Sequence, residues 1–404
     1  MSEERPITLL CLASELKGLP FIEEAKRLGS QVLLVVKEAV ANKAWPQELI
    51  DGFYRMPDLY TQPDITYAVS YLARSHKIDG IIALDDYDVA TAAALREHLR
   101  LRGMSESVAR FFRDKLAMRV KARQADILVP AFSAVFNYEQ LAEFMDRVPA
   151  PWVLKPRFEA GAVGIRKLNQ AEEVWRALEE LGDQQSYYLL EQFLPGDVFH
   201  VDSILWGGET VFALTSQYGT PPLAITQGGG IFNTRTLDHD SAASRTLREI
   251  NDRLLHFLQH EQGVAHTEFI RSAADGKFYF LETAARVGGA NIDRMVKAAT
   301  GIELWAEAAQ IELAVIKEES YELPDHRLGY AGLITCLARD EFPDLSAYDD
   351  PEIVWRLEKP YHAGLLIASP EAQRIESLLE AYNSRFSRDF LHHLPGKKTV
   401  RTTI

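Results

Sequence analysis

Within the first hundred residues, short β-branched or apolar runs alternate with helical stretches, and this most restricts what the chain can fold into. Ile7–Leu12 reads as a buried strand, Leu19–Leu28 as a helix ended by Gly29, Val32–Val36 as a second strand and Ile78–Leu84 as another, bounded by Asp79-Gly80 and Asp85-Asp86. Runs that are apolar along their whole length, joined by helices, indicate a parallel sheet covered on both faces. The 404 residues suffice for two or three domains.

The pattern changes after Val129-Pro130. Residues 105–125 form a polar-rich helical stretch. Asn137-Tyr-Glu-Gln140 and Asn169-Gln-Ala-Glu172 resemble capping boxes, each opening a short amphipathic helix. Strands are expected at Trp152–Lys155, Ile165–Leu168 and Tyr187–Glu191. A longer pair, Phe199–Leu205 and Thr210–Gln217, follows. Then come a Gly/Pro-rich loop (Gly219–Phe232), a helix carrying Leu247, Ile250, Leu254, Phe257 and Leu258, and a hairpin of Val264–Ile270 with Lys277–Glu282. A helix over Ile302–Lys317 precedes a tail, 321–404, with no legible motif. The expected architecture is α/β and α+β, divided as 1–105, 106–320 and a small C-terminal α+β portion, 321–404.

The hairpin carries the most chemistry. Asp275-Gly276 is a strong turn signal. With a three-residue loop at Ala274–Gly276, Ala273 pairs with Lys277, and Glu268 falls opposite Glu282 on the same face. Opposed like charges repel, and crowded carboxylates hold a proton or a cation. A divalent ion with hard oxygen ligands resolves the conflict, and Mg²⁺ is the usual one beside phosphates. A register one residue off would put the two on opposite faces. Arg286, four residues past Glu282, can reach anions at that ion, and Gly288-Gly289 permits close backbone approach.

Lys155 ends an apolar strand. The loop after it, with Gly161 and Gly164, can aim backbone N–H groups at phosphate oxygens. A strand stops at Glu191-Gln192-Phe193-Leu194-Pro195-Gly196. In the next strand His200 and Asp202 share a face, which suggests polar recognition but fits a solvated sheet face equally well.

In this order, the pieces resemble the ATP-grasp superfamily, in particular its carboxylate–amine ligase branch, which includes L-amino-acid ligases; the similarity covers roughly residues 7–320. The resemblance implies a lid subdomain at about 125–190. It implies that Lys115 and Lys155 contact ATP phosphates, with Lys155 also near the adenine, and that the Gly161–Gly164 loop covers the triphosphate. Glu191, Phe193 and Leu194 would form the hinge segment against the adenine, and His200 would belong to the nucleotide site. Glu268 and Glu282 would bind Mg²⁺, with Mn²⁺ as an alternative, and Arg286, with Lys155, would act on the transferred phosphoryl group. Two positions depart from the family's pattern. Ala284 stands where many relatives have asparagine, and Val198 where they have a ribose-binding glutamate, with Asp197 beside it as a substitute.

The activity implied is ATP-dependent joining of a small-molecule carboxylate to an amine through an acyl phosphate, with amino acids as candidate substrates. Rival readings are a small-molecule kinase, a ligase with another nucleophile, or a nucleotide-binding regulator with little turnover. The formal net charge of −14 argues against nucleic acid or an anionic membrane as partner. Cys11 and Cys336, the two cysteines, do not make a disulfide framework. Ile7–Leu12 is too short for a signal-peptide core or a membrane span, so a soluble, cytoplasmic protein is expected. Many members of the branch are dimers, which makes a homodimer compatible with the resemblance.

Overall fold

The computed structural model describes residues 5–392. Four parallel strands, β1 (Thr8–Ala13), β2 (Gln31–Lys37), β3 (Gly52–Met56) and β4 (Gly80–Ala83), form the first sheet in the order β3-β2-β1-β4. Every residue of β1 is buried, as a central parallel strand requires. Helices Leu19–Arg27, Asp64–Leu72 and Val89–Leu99 join or follow the strands. Sequence reading missed β3, an edge strand that is only half-buried and carries the exposed Arg55. Because β1 lies between β2 and β4, the strand order reverses beside it. The loops leaving β1 and β4 therefore flank a crevice at their carboxyl ends, where open α/β sheets bind ligands.

The polar-rich stretch at 105–125 is two helices, Glu106–Arg110 and Lys115–Gln124. Asp114 interrupts them and caps the second by accepting from the Leu116 N–H at 3.0 Å. An antiparallel sheet follows, of β5 (Phe132–Ala134), β6 (Trp152–Pro156), β7 (Arg166–Leu168) and β8 (Tyr188–Gln192), in the order β5-β8-β6-β7. Helices Tyr138–Arg147 and Ala171–Leu181 pack on it through Leu141, Phe144 and Met145 and through Val174, Ala177 and Leu178. Asn137 caps the first as expected, accepting from the Gln140 N–H at 2.9 Å. In the second, the cap position is Gln170 rather than Asn169, and the Asn169 N–H instead donates to Glu173 at 2.7 Å.

The remaining strands build one eight-stranded sheet: β9 (Gly196–Trp206), β10 (Glu209–Tyr218), β11 (Phe232–Thr236), β12 (Gly263–Ser272), β13 (Phe278–Ala284), β14 (Tyr330–Leu337), β15 (Ile353–Arg356) and β16 (His362–Ser369), ordered β13-β12-β9-β10-β11-β14-β16-β15. The motif-free tail thus extends the sheet that holds the acidic hairpin, and helix Ala372–Asp389 packs on β14 and β16. Helix Ala242–Phe257 buries Leu247, Leu254 and Leu255. The helix expected over Ile302–Lys317 is present as Leu304–Lys317, and a further helix, Ile292–Thr300, precedes it.

Glu268 does pair with Glu282. The loop nevertheless differs from expectation. Ser272 N–H donates to Lys277 O at 2.9 Å, so the loop is one residue longer than supposed. A bulge at Leu281 then shifts the register between Glu268 and Phe269 and restores the pairing at the carboxylates. Two offsets of one residue cancel where it matters.

Candidate active site

A cleft of about 1330 Å³ opens among the three sheets. The first sheet contributes the turns after β1 and β4. The second contributes Lys155 at the end of β6, Gly161 in the following loop, and Phe193 and Leu194 just past β8. From the third come His266, Glu268 and Glu282, with Arg286 beyond β13. Lys115 reaches in from the start of its helix. The structure therefore gathers Lys115, Lys155, Gly161, Glu191, Phe193, Leu194, Glu268, Glu282 and Arg286 on one cavity.

The two glutamates are not left facing each other unrelieved. Tyr218 Oη donates to Glu268 Oε1 at 2.8 Å, and Lys115 Nζ lies 2.9 Å from Glu282 Oε2. Burial pushes the Glu282 carboxyl up, but the Lys115 ammonium, with Lys155 and Arg119 behind it, more than offsets this and brings the group down to about 2. Burial, then the Glu268 carboxylate, holds the Tyr218 phenol protonated well above its usual range. Both carboxylates keep part of their surface open to the cleft, at 16% and 32%.

Glu191 is a buried charge hub. Its carboxylate bridges Arg119 and Lys155 with hardly any exposure. Its backbone pairs with β5 and β6 inside the sheet, so the cleft-facing part of the expected hinge falls to Phe193 and Leu194. Lys167 Nζ stands 3.9 Å from the Phe193 ring centre, a cation–π contact at the cleft wall. Arg119, fully buried, was missed in the sequence although it follows Lys115 by four residues and so shares its helix face.

Gly161, Ala162 and Gly164 adopt φ of 66°, 59° and 73°, a left-handed course in which glycine is favoured. Gly161 lines the cavity; Gly164 does not. The Gly/Pro-rich segment expected as a loop contains a helix, Pro222–Gly228. It touches the glycine loop: Thr226 Oγ1 donates to Gly161 O and Gln227 Nε2 to Ile165 O, both at 3.3 Å.

Asp197 and His200 lie off the cavity. Asp197 is exposed and pairs with Arg271 at 2.9 Å, its strand having no reason to turn it inward. His200 is fully buried, with Nδ1 2.8 Å from Asp202 Oδ2 and Nε2 2.8 Å from Thr234 Oγ1. His266, unremarked in the sequence, holds the other Asp202 oxygen at 2.8 Å and directs Nε2 toward Glu268 Oε1 at 3.6 Å. Burial lowers the His266 pKa, but Asp202 more than offsets it, raising it to about 9. Its signal was available, since His266 and Glu268 are two apart on one strand and share a face. Gly288 packs against this pair: a Cβ there would come within 2.9 Å of Asp202 Oδ1 and His266 Nδ1. The glycine thus seats the Arg286 segment on the network.

Residues 22–103 match the family model described as the ATP-grasp N-terminal domain. The chain is similar to an L-arginine-specific L-amino acid ligase of Bacillus subtilis, 26% identical over 262 residues, which cover 62% of this chain and 62% of that relative's length. Among solved structures, an L-amino acid ligase from Bacillus licheniformis superposes with a TM-score of 0.76 at 19% identity, covering 98% of this chain and 100% of that one. An N5-carboxyaminoimidazole synthetase from Staphylococcus aureus complexed with ADP gives 0.70 at 14% identity, covering 94% and 98%. Among the described residues no helix is long and apolar enough to cross a membrane.

Proposed function

We propose that the protein is an ATP-dependent ligase that joins a carboxylate to an amine through an acyl phosphate, releasing ADP and phosphate. The observation that carries this reading is the direct opposition of Glu268 and Glu282, with Lys115 and Lys155 on the same large cleft. Ligase relatives and an ADP-bound structure of the same fold support it. Phosphoryl transfer needs positioning and charge stabilisation more than a nucleophile triad, and these residue types supply both.

In this reading Lys155, steadied by Glu191, and Lys115 neutralise the triphosphate, and Phe193 and Leu194 flank the base. The loop at Gly161 covers the phosphates, its contact with the 222–228 helix helping to exclude the water that would hydrolyse an acyl phosphate. Gly164 shapes that loop, while Asp197 and His200 stand outside the cavity. Arg286 holds the transferred phosphoryl group or the substrate carboxylate. Glu268 and Glu282 are hard oxygen donors, part-open to the cleft, and would hold Mg²⁺. When bound, Mg²⁺ supplies positive charge against the phosphate oxygens. Amino acids are the proposed substrate class and a homodimer the proposed assembly, both from the resemblance, and the cytoplasm is the proposed location from the sequence.

Hydroxylamine trapping tests the reaction. With Mg-ATP and a panel of amino acids, the expected result is a hydroxamate formed in step with ADP release. ADP release without hydroxamate points to a kinase, and no carboxylate-dependent ADP release with any acid would sink the proposal.

A further inference from the structure

The turn that follows β4 carries three acidic residues, Asp85, Asp86 and Asp88, of which the first two line the cleft. Two are spent on the turn itself. Asp85 accepts from the Tyr87 N–H at 3.0 Å and pairs with Lys17 at 2.6 Å. Asp88 accepts from the Ser14 N–H at 2.7 Å and from Ser14 Oγ at 2.6 Å, tying the turn after β4 to the turn after β1. The turn is thus pinned at both ends.

Asp86, between them, is directed out of its own domain. It is 4% exposed and ion-pairs with Arg113, which also donates to Phe158 O. Its Oδ1 lies 3.5 Å from Arg286 Nε, an ion-pair distance without a hydrogen bond. Oδ1 and Nε are both buried and neither has a hydrogen-bond partner among the described residues. Arg286 is otherwise held by its own neighbour, with Nη1 donating to Val287 O at 2.9 Å.

We propose that Asp86 is a positioning residue for Arg286: a carboxylate from the first domain, fixed by Arg113, faces the inner edge of the guanidinium and so directs its remaining N–H groups at the anion in the cleft. This rests on the role given to Arg286 above. Guanidinium donors are planar and rigid, so the direction of one edge sets the other. Asp86 itself stays ionised. Burial raises its pKa, but Arg113, then Arg286 and Lys115, more than offset this and hold it below the ordinary value. The inference also gives the two domains a chemical reason to remain in register, since the aim of an arginine past β13 depends on a turn past β4.

The test compares Asp86→Asn, Asp86→Glu, Arg286→Lys and the double variant Asp86→Asn/Arg286→Lys. Asp86→Asn should lower kcat for carboxylate-dependent ADP release about tenfold or more, the scale for a misaimed active-site group, with KM for ATP nearly unchanged. Asp86→Glu should recover part of the loss. The double variant should be no slower than Arg286→Lys alone, because a misdirected arginine and an absent one fail alike. Losses that multiply, a loss confined to KM, or an unaltered kcat would overturn the inference. Calorimetric binding of inorganic phosphate to the full chain supplies a reading that needs no turnover. Affinity should fall by a similar factor in Asp86→Asn and Arg286→Lys, and unchanged affinity, or none in the wild type, overturns it. A wild type that binds phosphate with this dependence yet traps no acyl phosphate would sink the ligase reading and leave the Asp86–Arg286 pairing standing.

Discussion

Replacing Glu191 by glutamine keeps the side chain's shape and deletes its charge, which leaves two cations in the interior. Arg119 is fully buried and Lys155 nearly so, and Glu191 is the anion that both engage. The two cations do not respond alike. Lys155 can shed its proton: burial already holds its pKa below the ordinary value, though Glu191 pulls the other way. Arg119 cannot. Breaking a buried pair from one side costs about 3–5 kcal/mol. With Lys155 able to neutralise, the expected loss lies near the lower end, about 3 kcal/mol. The pH dependence has a definite sign. Burial raises the Glu191 pKa, but Arg119 and Lys155 more than offset it, and the folded value lies below the unfolded one. Its stabilisation is therefore complete above the ordinary carboxylate value and disappears as pH falls through the depressed one. Urea unfolding followed by tryptophan fluorescence, with Trp152 on the neighbouring strand as one reporter, measures this. The gap between wild type and Glu191→Gln should be constant near neutrality and shrink in strong acid. A variant within about 1 kcal/mol of wild type at neutral pH would refute the idea that Arg119 depends on this carboxylate.

Two further outcomes are expected. Glu282→Gln, or removal of divalent ions by chelation, should cut carboxylate-dependent ADP release by about 100-fold or more, and added Mg²⁺ should restore the chelated wild type but not the variant; full activity in chelator would rule out a metal role for the pair. His260 is buried beside Phe112, and burial lowers its pKa from 6.5 to about 4 despite its contact with Val264 O. The unfolded chain thus binds a proton that the folded one refuses, so wild-type stability should drop by up to about 3 kcal/mol between those two pH values. His260→Leu should remove that slope, and an unchanged slope in equilibrium unfolding would show the group is not responsible.

What could be read from the sequence is what depends on local pattern. β1 and β2 are apolar over Leu9–Ala13 and Val32–Val36 because both of their faces are covered. The helices over 138–147 and 171–181 follow their apolar spacing. The pairing of Glu268 with Glu282 was recovered, although by an argument with two compensating faults. Long-range partners had no local signature. Asp86 served only as the punctuation of a strand, and nothing in its neighbourhood names Arg113 or Arg286 as its counterpart. Arg119 reads as one more polar residue on a polar helix until the sheet carrying Glu191 closes over it. The strands of the tail went unread because they complete a sheet begun more than a hundred residues earlier, and their edges make sense only beside β11.

The bulge at Leu281 separates the phase of the carboxylates from the length of the loop at 273–276. Extra residues at that tip would lengthen an exposed ribbon end while the irregularity near the cleft continued to set which side chains meet. The hairpin tip is accordingly a tolerant place to graft a tag or a reporter peptide.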